Sequence, residues 1–192
     1  AHDIFARTAT APAASTAGAP LIIVTTALPV ARVGTAYLPH ALVSANGDGS
    51  PQWQLVSGSL PAGMELLANG TLQGTPTTSG IFTPVVRVQD GTEQADKTLT
   101  LSCSDLQITT TSLANAASGQ SYQQSLITSG GLGAVTWSVA AGSTLPPGLT
   151  LDPAGQLSGI PAAIGTLAFS LTATDSVGIT ATTAYQFIVL GT

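Results

Sequence analysis

Only 7% of the 192 residues are Asp, Glu, Lys or Arg, and polarity comes instead from Ser, Thr, Asn and Gln, with 21 Gly and 12 Pro for turns. A typical chain is about a quarter charged; with charged helix formers so scarce and β-branched residues abundant, the composition argues for an all-β chain and against all-α or α/β. The net charge is −5 and the four cations, Arg7, Arg32, Arg87 and Lys97, are dispersed. They form no cluster able to displace phosphate counterions or hold an anionic membrane surface, so nucleic acid and such a membrane are not expected as partners.

Residues 1–20, AHDIFARTATAPAASTAGAP, turn into an Ala/Thr/Pro/Ser/Gly linker from Thr8 onward. Within them Ile4 and Phe5 are apolar anchors suited to a neighbour's groove. Twenty extended residues reach about 66 Å at 3.3 Å each. The segment therefore reads as an extended assembly arm that docks on an adjacent subunit, for instance by adding a strand to an open sheet edge. The alternative is that it packs along its own first domain. The chain begins at Ala1 without Met or a signal peptide and reads as a mature or trimmed form. The aliphatic run Leu21–Val24 falls far short of the ~20 residues a membrane helix needs, and no membrane insertion is expected.

From Leu21 the chain repeats itself. LIIVTTALPVARVGTAY from Leu21 matches LQITTTSLANAASGQSY from Leu106, WQLVSGSLPAGMELLANGTLQGTP from Trp53 matches WSVAAGSTLPPGLTLDPAGQLSGIP from Trp137, and GIFTPVVRVQD from Gly80 matches GTLAFSLTATD from Gly165. The offset is 85, then 84 at the tryptophans, then 85 again. On this reading two single-residue length changes occur, each in a Gly/Ser stretch where loops tolerate insertion. The unit has the size of a small β-sandwich, with an arm over 1–20 and domains over 21–103 and 104–192.

In the second unit the strands follow in order. Ser121–Ile127 precedes a Gly-rich turn at Gly130–Gly133; Val135, Trp137 and Val139 share one face. Leu149–Leu151 and Gly155–Gly159 flank a hairpin turn at Pro153–Gly155. Leu167, Phe169, Leu171 and Ala173 alternate with polar or small residues, and Tyr185, Phe187 and Val189 form a closing strand. Several short strands with one apolar face mean two sheets around one core. The first unit follows the same pattern, except that Pro39 and Pro84 fall inside strands and mark edges or bulges.

LPPGLTLDPAGQLSGIP, preceded by VTWSVAAGS and followed by TATDSVG, resembles the putative-Ig family of bacterial extracellular proteins, related to cadherin-like and dystroglycan-type Ig domains. The resemblance covers 21–192 in two copies, and its Leu-Pro-x-Gly and Leu-x-Gly-x-Pro elements are fairly specific. It implies two tandem immunoglobulin-like β-sandwiches behind an extended N-terminal arm. It also implies a repeat module of surface proteins, adhesins, accessory regions of secreted enzymes or phage virion appendages, located outside the cell or on a cell or virion surface. No catalytic residues are carried over.

Several residues within that frame are candidates for chemistry. Trp53 and Trp137 are either sugar-stacking platforms or core residues; their strand parity with Leu55 and Val139 places them inside. Asn46-Gly47-Asp48-Gly49-Ser50 spaces oxygen side chains as calcium loops do, but a turn needs the same residues for backbone reasons. Asp90 and Asp175 end equivalent strands and Asp105 lies in the junction. Cadherin-like relatives imply junction calcium there; the plainer role is accepting backbone N–H bonds of the next turn. Cofactors are accordingly none, with calcium at Asp90, Asp105 and Asp175 as the alternative. Asn69-Gly70-Thr71 matches a glycosylation sequon and, more strongly, a hairpin turn.

Cys103, as the only cysteine, excludes an intrachain disulfide; it is a small apolar strand residue or half of an intermolecular bridge. The histidines are His2 and His40, no Gly-x-Ser-x-Gly elbow occurs, and the nine acids form no carboxylate pair. A histidine relay would have to run through His40, whose place in the second unit is read as Ser125. The expected role is therefore a non-enzymatic structural or adhesion module that self-associates. The alternatives are a carbohydrate- or receptor-binding module, in which Tyr37, Tyr122 and Tyr185 are the remaining aromatic candidates, or accessory domains of a larger secreted enzyme.

Overall fold

The structure, a computed structural model, describes residues 19–47 and 49–191. The first sandwich contains β1 (Ile22–Ile23), β2 (Ala31–Arg32), β3 (Tyr37–Ala41), β4 (Ser44–Ala45), β5 (Gln52–Ser57), β6 (Met64–Leu66), β7 (Thr71–Gly74), β8 (Gly80–Phe82), β9 (Val85–Asp90), β10 (Glu93–Thr98) and β11 (Leu101–Ser104). The second contains β12 (Gln107–Ile108), β13 (Ala116–Ala117), β14 (Tyr122–Ser125), β15 (Thr128–Ser129), β16 (Thr136–Val139), β17 (Leu149–Leu151), β18 (Gln156–Gly159), β19 (Gly165–Thr174) and β20 (Thr180–Leu190). The described residues hold no helix, and the fold is two tandem Ig-like sandwiches.

In the second sandwich the sheet β13-β20-β19-β16 faces the sheet β14-β18-β17, beside the ribbon β12-β15. The long β19–β20 hairpin alternates as the sequence dictates: Phe169, Leu171 and Ala173 on one strand and Tyr185, Phe187 and Val189 on the other are buried together with Trp137, Tyr122 and Leu157. Tyr122 and Phe187 meet edge-on with ring centroids 5.0 Å apart, an arrangement the ring quadrupoles favour.

Repeat motifs acquire a physical meaning here. Ile160 N donates to Gly148 O, and Thr75 N to Gly63 O, both at 2.9 Å. The Gly of each Leu-Pro-x-Gly thus lies against the Leu-x-Gly-x-Pro segment of its own sandwich, with φ of 85° at Gly63 and 91° at Gly148 and no room for a Cβ.

The first sandwich breaks the same design in two places. Buried Pro84 interrupts the strand equivalent to β19, splitting it into β8, which pairs with β11, and β9, which pairs with β10 and β5. A register shift between Leu55 and Ser57 accompanies it, and this bend turns Leu55 partly to solvent although it shares parity with buried Trp53. The closing strand carries Leu99, Leu101 and Cys103 where the second sandwich has Tyr185, Phe187 and Val189. Smaller side chains leave the core in two clusters, with a gap of about 10 Å³ lined by Leu28, Leu42, Pro84, Val86 and Leu99.

Pro39 lies in a bulge. Tyr37 pairs with Gly74 and His40 with Leu72, so two residues, Leu38 and Pro39, stand opposite Gln73 alone; in β14 the ladder is unbroken from Tyr122 to Ser125. This corrects the repeat alignment. The first length change falls inside strand β3 rather than in the Gly/Ser loop, and His40 is the counterpart of Gln124, not Ser125. A third change, in the turn after Asp90 and Asp175, moves the closing strands to an offset of 86: Leu101 faces Phe82 as Phe187 faces Leu167.

Candidate functional site

Two places combine polar groups with contact between elements: the junction and the edge of the first sandwich. At the junction the Ser104 hydroxyl, buried at the end of β11, donates to Asp175 Oδ2 at 2.6 Å. Asp175 lies just beyond β19, and its carboxylate also accepts from Leu132 N at 3.1 Å, Val177 N at 3.1 Å and Ile179 N at 2.9 Å. Burial alone pushes this carboxyl up, but the Ser104 hydroxyl and the three amides outweigh it and leave the group below its ordinary value. Asp105 Oδ1 accepts from Gly131 N at 3.0 Å. From the other side Arg32, in β2, donates to Thr180 O at 2.6 Å and Leu106 O at 3.0 Å. The equivalent of Arg32 in the second sandwich is Ala117.

Asp105 and Asp175 thus converge on the turn Gly131–Leu132. Asp90 does not join them: it accepts from Gly49 N at 3.0 Å on the loop at the far pole of the first sandwich. Among the described residues no three His, Cys, Asp or Glu side chains are grouped as a metal site. In the candidate calcium loop Asn46 directs its Nδ2 at Pro20 O, 3.0 Å away, and Asp48 lies outside the described residues. Ile4, Phe5 and His2 also lie outside them.

The aromatic candidates face inward. Trp53 and Trp137 are 5% and 7% exposed, and each lies under a turn glycine, Gly70 or Gly155, that leaves its indole no space for an added Cβ. Tyr37, Tyr122 and Tyr185 are buried as well. Burial pushes the Tyr37 hydroxyl up to about 12, so it stays a donor, to Pro29 O at 3.0 Å. Asn69 Oδ1 accepts from Thr71 N at 3.0 Å, as a turn asparagine does. Cys103 is fully buried, facing Ala31 across β2, and burial raises its thiol, with Asp105 adding to the effect. Half-buried His40 has no hydrogen bond to a carboxylate or hydroxyl among the described residues.

The edge groove was not foreseen in the sequence. It measures about 460 Å³, and Pro29, Val30, Arg32, Leu38, Pro39 and His40 are among the residues that line it, over Tyr37. The signal for it was present in the paired repeats, as the replacement of Asn115, Gln123 and Gln124 by apolar residues and histidine.

Several known structures are similar to this chain. Drosophila OTK, extracellular domains 3–5, aligns with TM-score 0.55 and 14% identity over 88% of this chain and 62% of that one. Sidekick-1 immunoglobulin domains 1–4 align with TM-score 0.46 and 17% identity, over 90% of this chain and 49% of that one. An endo-fucoidan hydrolase from glycoside hydrolase family 107 gives 0.39 and 16%; this chain covers 96% of itself and about a third, 31%, of that protein. None of the curated protein sequences matches the chain. The family model described as "Putative Ig domain" matches residues 19–104 and again 106–190. The chain belongs to that family, as two tandem copies.

Proposed function

We propose that the chain is a non-enzymatic structural module of an extracellular or virion-surface assembly, holding a displayed surface at a fixed distance through contacts with neighbouring subunits. The observation that supports this is the junction. Arg32 grips two backbone carbonyls of the second sandwich while Ser104 is held by Asp175, so both ends of the boundary are tied by charge-assisted hydrogen bonds. Single-residue connection leaves no slack between β11 and Leu106. Two modules coupled in that way behave as one rod, which suits a spacer. Burial of all three tyrosines and both tryptophans removes the stacking platforms that a carbohydrate-binding module would use. Among the described residues no helix is long and apolar enough to cross a membrane.

Small-angle scattering combined with solution mass tests the reading. A rod of fixed length that associates with rising concentration is expected, and Arg32→Ala with Ser104→Ala should broaden the distribution of lengths. A freely bending monomer would remove the proposal.

A further inference from the structure

At the place equivalent to the edge groove of the first sandwich, the second carries a hydrogen-bonded bridge, and the reason is specific. In the second sandwich Gln124 Oε1 accepts from Ala114 N and from the Tyr122 hydroxyl, both at 2.9 Å, and so closes the gap between the segment before β13 and strand β14. In the first, the counterpart of Ala114 is Pro29, which has no N–H to offer, and the counterpart of Gln124 is His40. The Tyr37 hydroxyl turns to Pro29 O instead, and the space stays open.

Its walls are mostly apolar, with Arg32, Thr35 and His40 as the polar members. Leu38 is 85% exposed, the highest value among the exposed large apolar residues described, and Val30 and Pro39 flank it. A volume of about 460 Å³ lies within the roughly 300–1,000 Å³ of pockets that seat small ligands or side-chain anchors. β3 is also the outer strand of the order β3-β7-β6, so among the described residues no strand pairs with its free side. Pro39 and its bulge spoil that edge as a template for a continuous ladder. Recognition there must rest on seating apolar side chains.

We infer that this groove receives Ile4 and Phe5 from the N-terminal arm of a second copy of the chain, an assignment that rests on the assembly reading above. Of the nine aromatic residues in the sequence, eight are in the described part, where seven are buried and Phe82 is half-buried. Phe5, next to Ile4, is the aromatic left to offer. Ala19 follows Phe5 by fourteen positions, a span of about 46 Å when extended. The donor is taken as a second copy because the assembly reading requires contact between copies. The described chain arrives beside Asn46 at the far pole, and β1 then runs antiparallel to β4 toward the junction, where the groove opens beside Arg32. Ala19, where the described chain begins, stands at that far pole, away from the groove of its own sandwich.

The test uses the full chain with a benzophenone-bearing phenylalanine in place of Phe5, irradiated as a mixture of isotope-labelled and unlabelled protein. Mixed-label adducts at Val30, Leu38 or Pro39 are expected. Leu38→Glu should weaken self-association at least tenfold, whereas Gln123→Glu in the second sandwich should leave it unchanged; Leu38 is exposed, so folding, followed by circular dichroism, should be untouched. Adducts within a single chain, adducts elsewhere, or unchanged association of the Leu38→Glu protein would overturn the groove assignment while leaving a rigid, associating module intact. A protein that is monomeric at every concentration overturns both.

Discussion

Ser104 Oγ and Asp175 Oδ2, 2.6 Å apart, join the last strand of one sandwich to the β19–β20 turn of the next. Asp175→Ala leaves that hydroxyl and three amides without their acceptor. Each hydrogen bond to a charged group contributes about 1.5–3 kcal/mol and orphaned donors add to the loss, so Asp175→Ala should cost the second sandwich at least about 3 kcal/mol in urea unfolding, and Ser104→Ala, which removes one such bond, about 1.5–3 kcal/mol. Equal and negligible losses would show that the contact does not tie the modules.

The same carboxylate sets an acid limit. Its folded value lies below the ordinary one, so the contribution is complete above roughly pH 4, the unfolded range, and fades as pH falls through the lowered folded value. Unfolding of the second sandwich should therefore become easier on acidification below about pH 4. Asp175→Asn, which cannot ionise, should flatten that slope. A parallel slope in the variant would contradict the assignment.

Gly70 and Gly155 cover Trp53 and Trp137 with φ of 86° and 93°. Alanine at either meets the indole and a disfavoured backbone, and should cost about 1–3 kcal/mol in its own sandwich. Two-transition melting would assign each loss. Because the first core is split and carries smaller closing-strand residues, its transition should come first; the reverse order would show that the gap near Pro84 costs little.

Calcium is expected to have no effect. Asp105 and Asp175 oxygens are engaged by backbone amides, and Asp90 serves a loop at the opposite pole. Millimolar calcium should leave both melting temperatures unchanged and give no heat in calorimetry. A shift of several degrees would restore the junction as a metal site.

Cys103 occupies the place of Val189 in the second sandwich, and both are buried. Cys103→Val keeps the apolar character found at the equivalent place but adds bulk to a closed site, and should cost no more than about 3 kcal/mol. The native thiol should react with Ellman's reagent only on unfolding; rapid native labelling would show that the strand opens.

Duplicated motifs and period-two alternation determined by themselves that the chain is two β-sandwiches with Trp137, Phe169, Phe187 and their counterparts inside. That is so because burial follows strand parity and every repeated Gly or Pro marks a backbone requirement met twice. Where the chain departs from its own repeat, one-dimensional alignment misled. The bulge at Leu38–Pro39 and the register shift beside Leu55 depend on which strand lies opposite, information no single segment carries. Only the tertiary structure decided that Asp105 and Asp175 meet at one turn while Asp90 is a sandwich away. It alone also showed that Gln124 closes an edge which His40 and Pro29 leave open, because both facts are properties of contacts between segments distant along the chain.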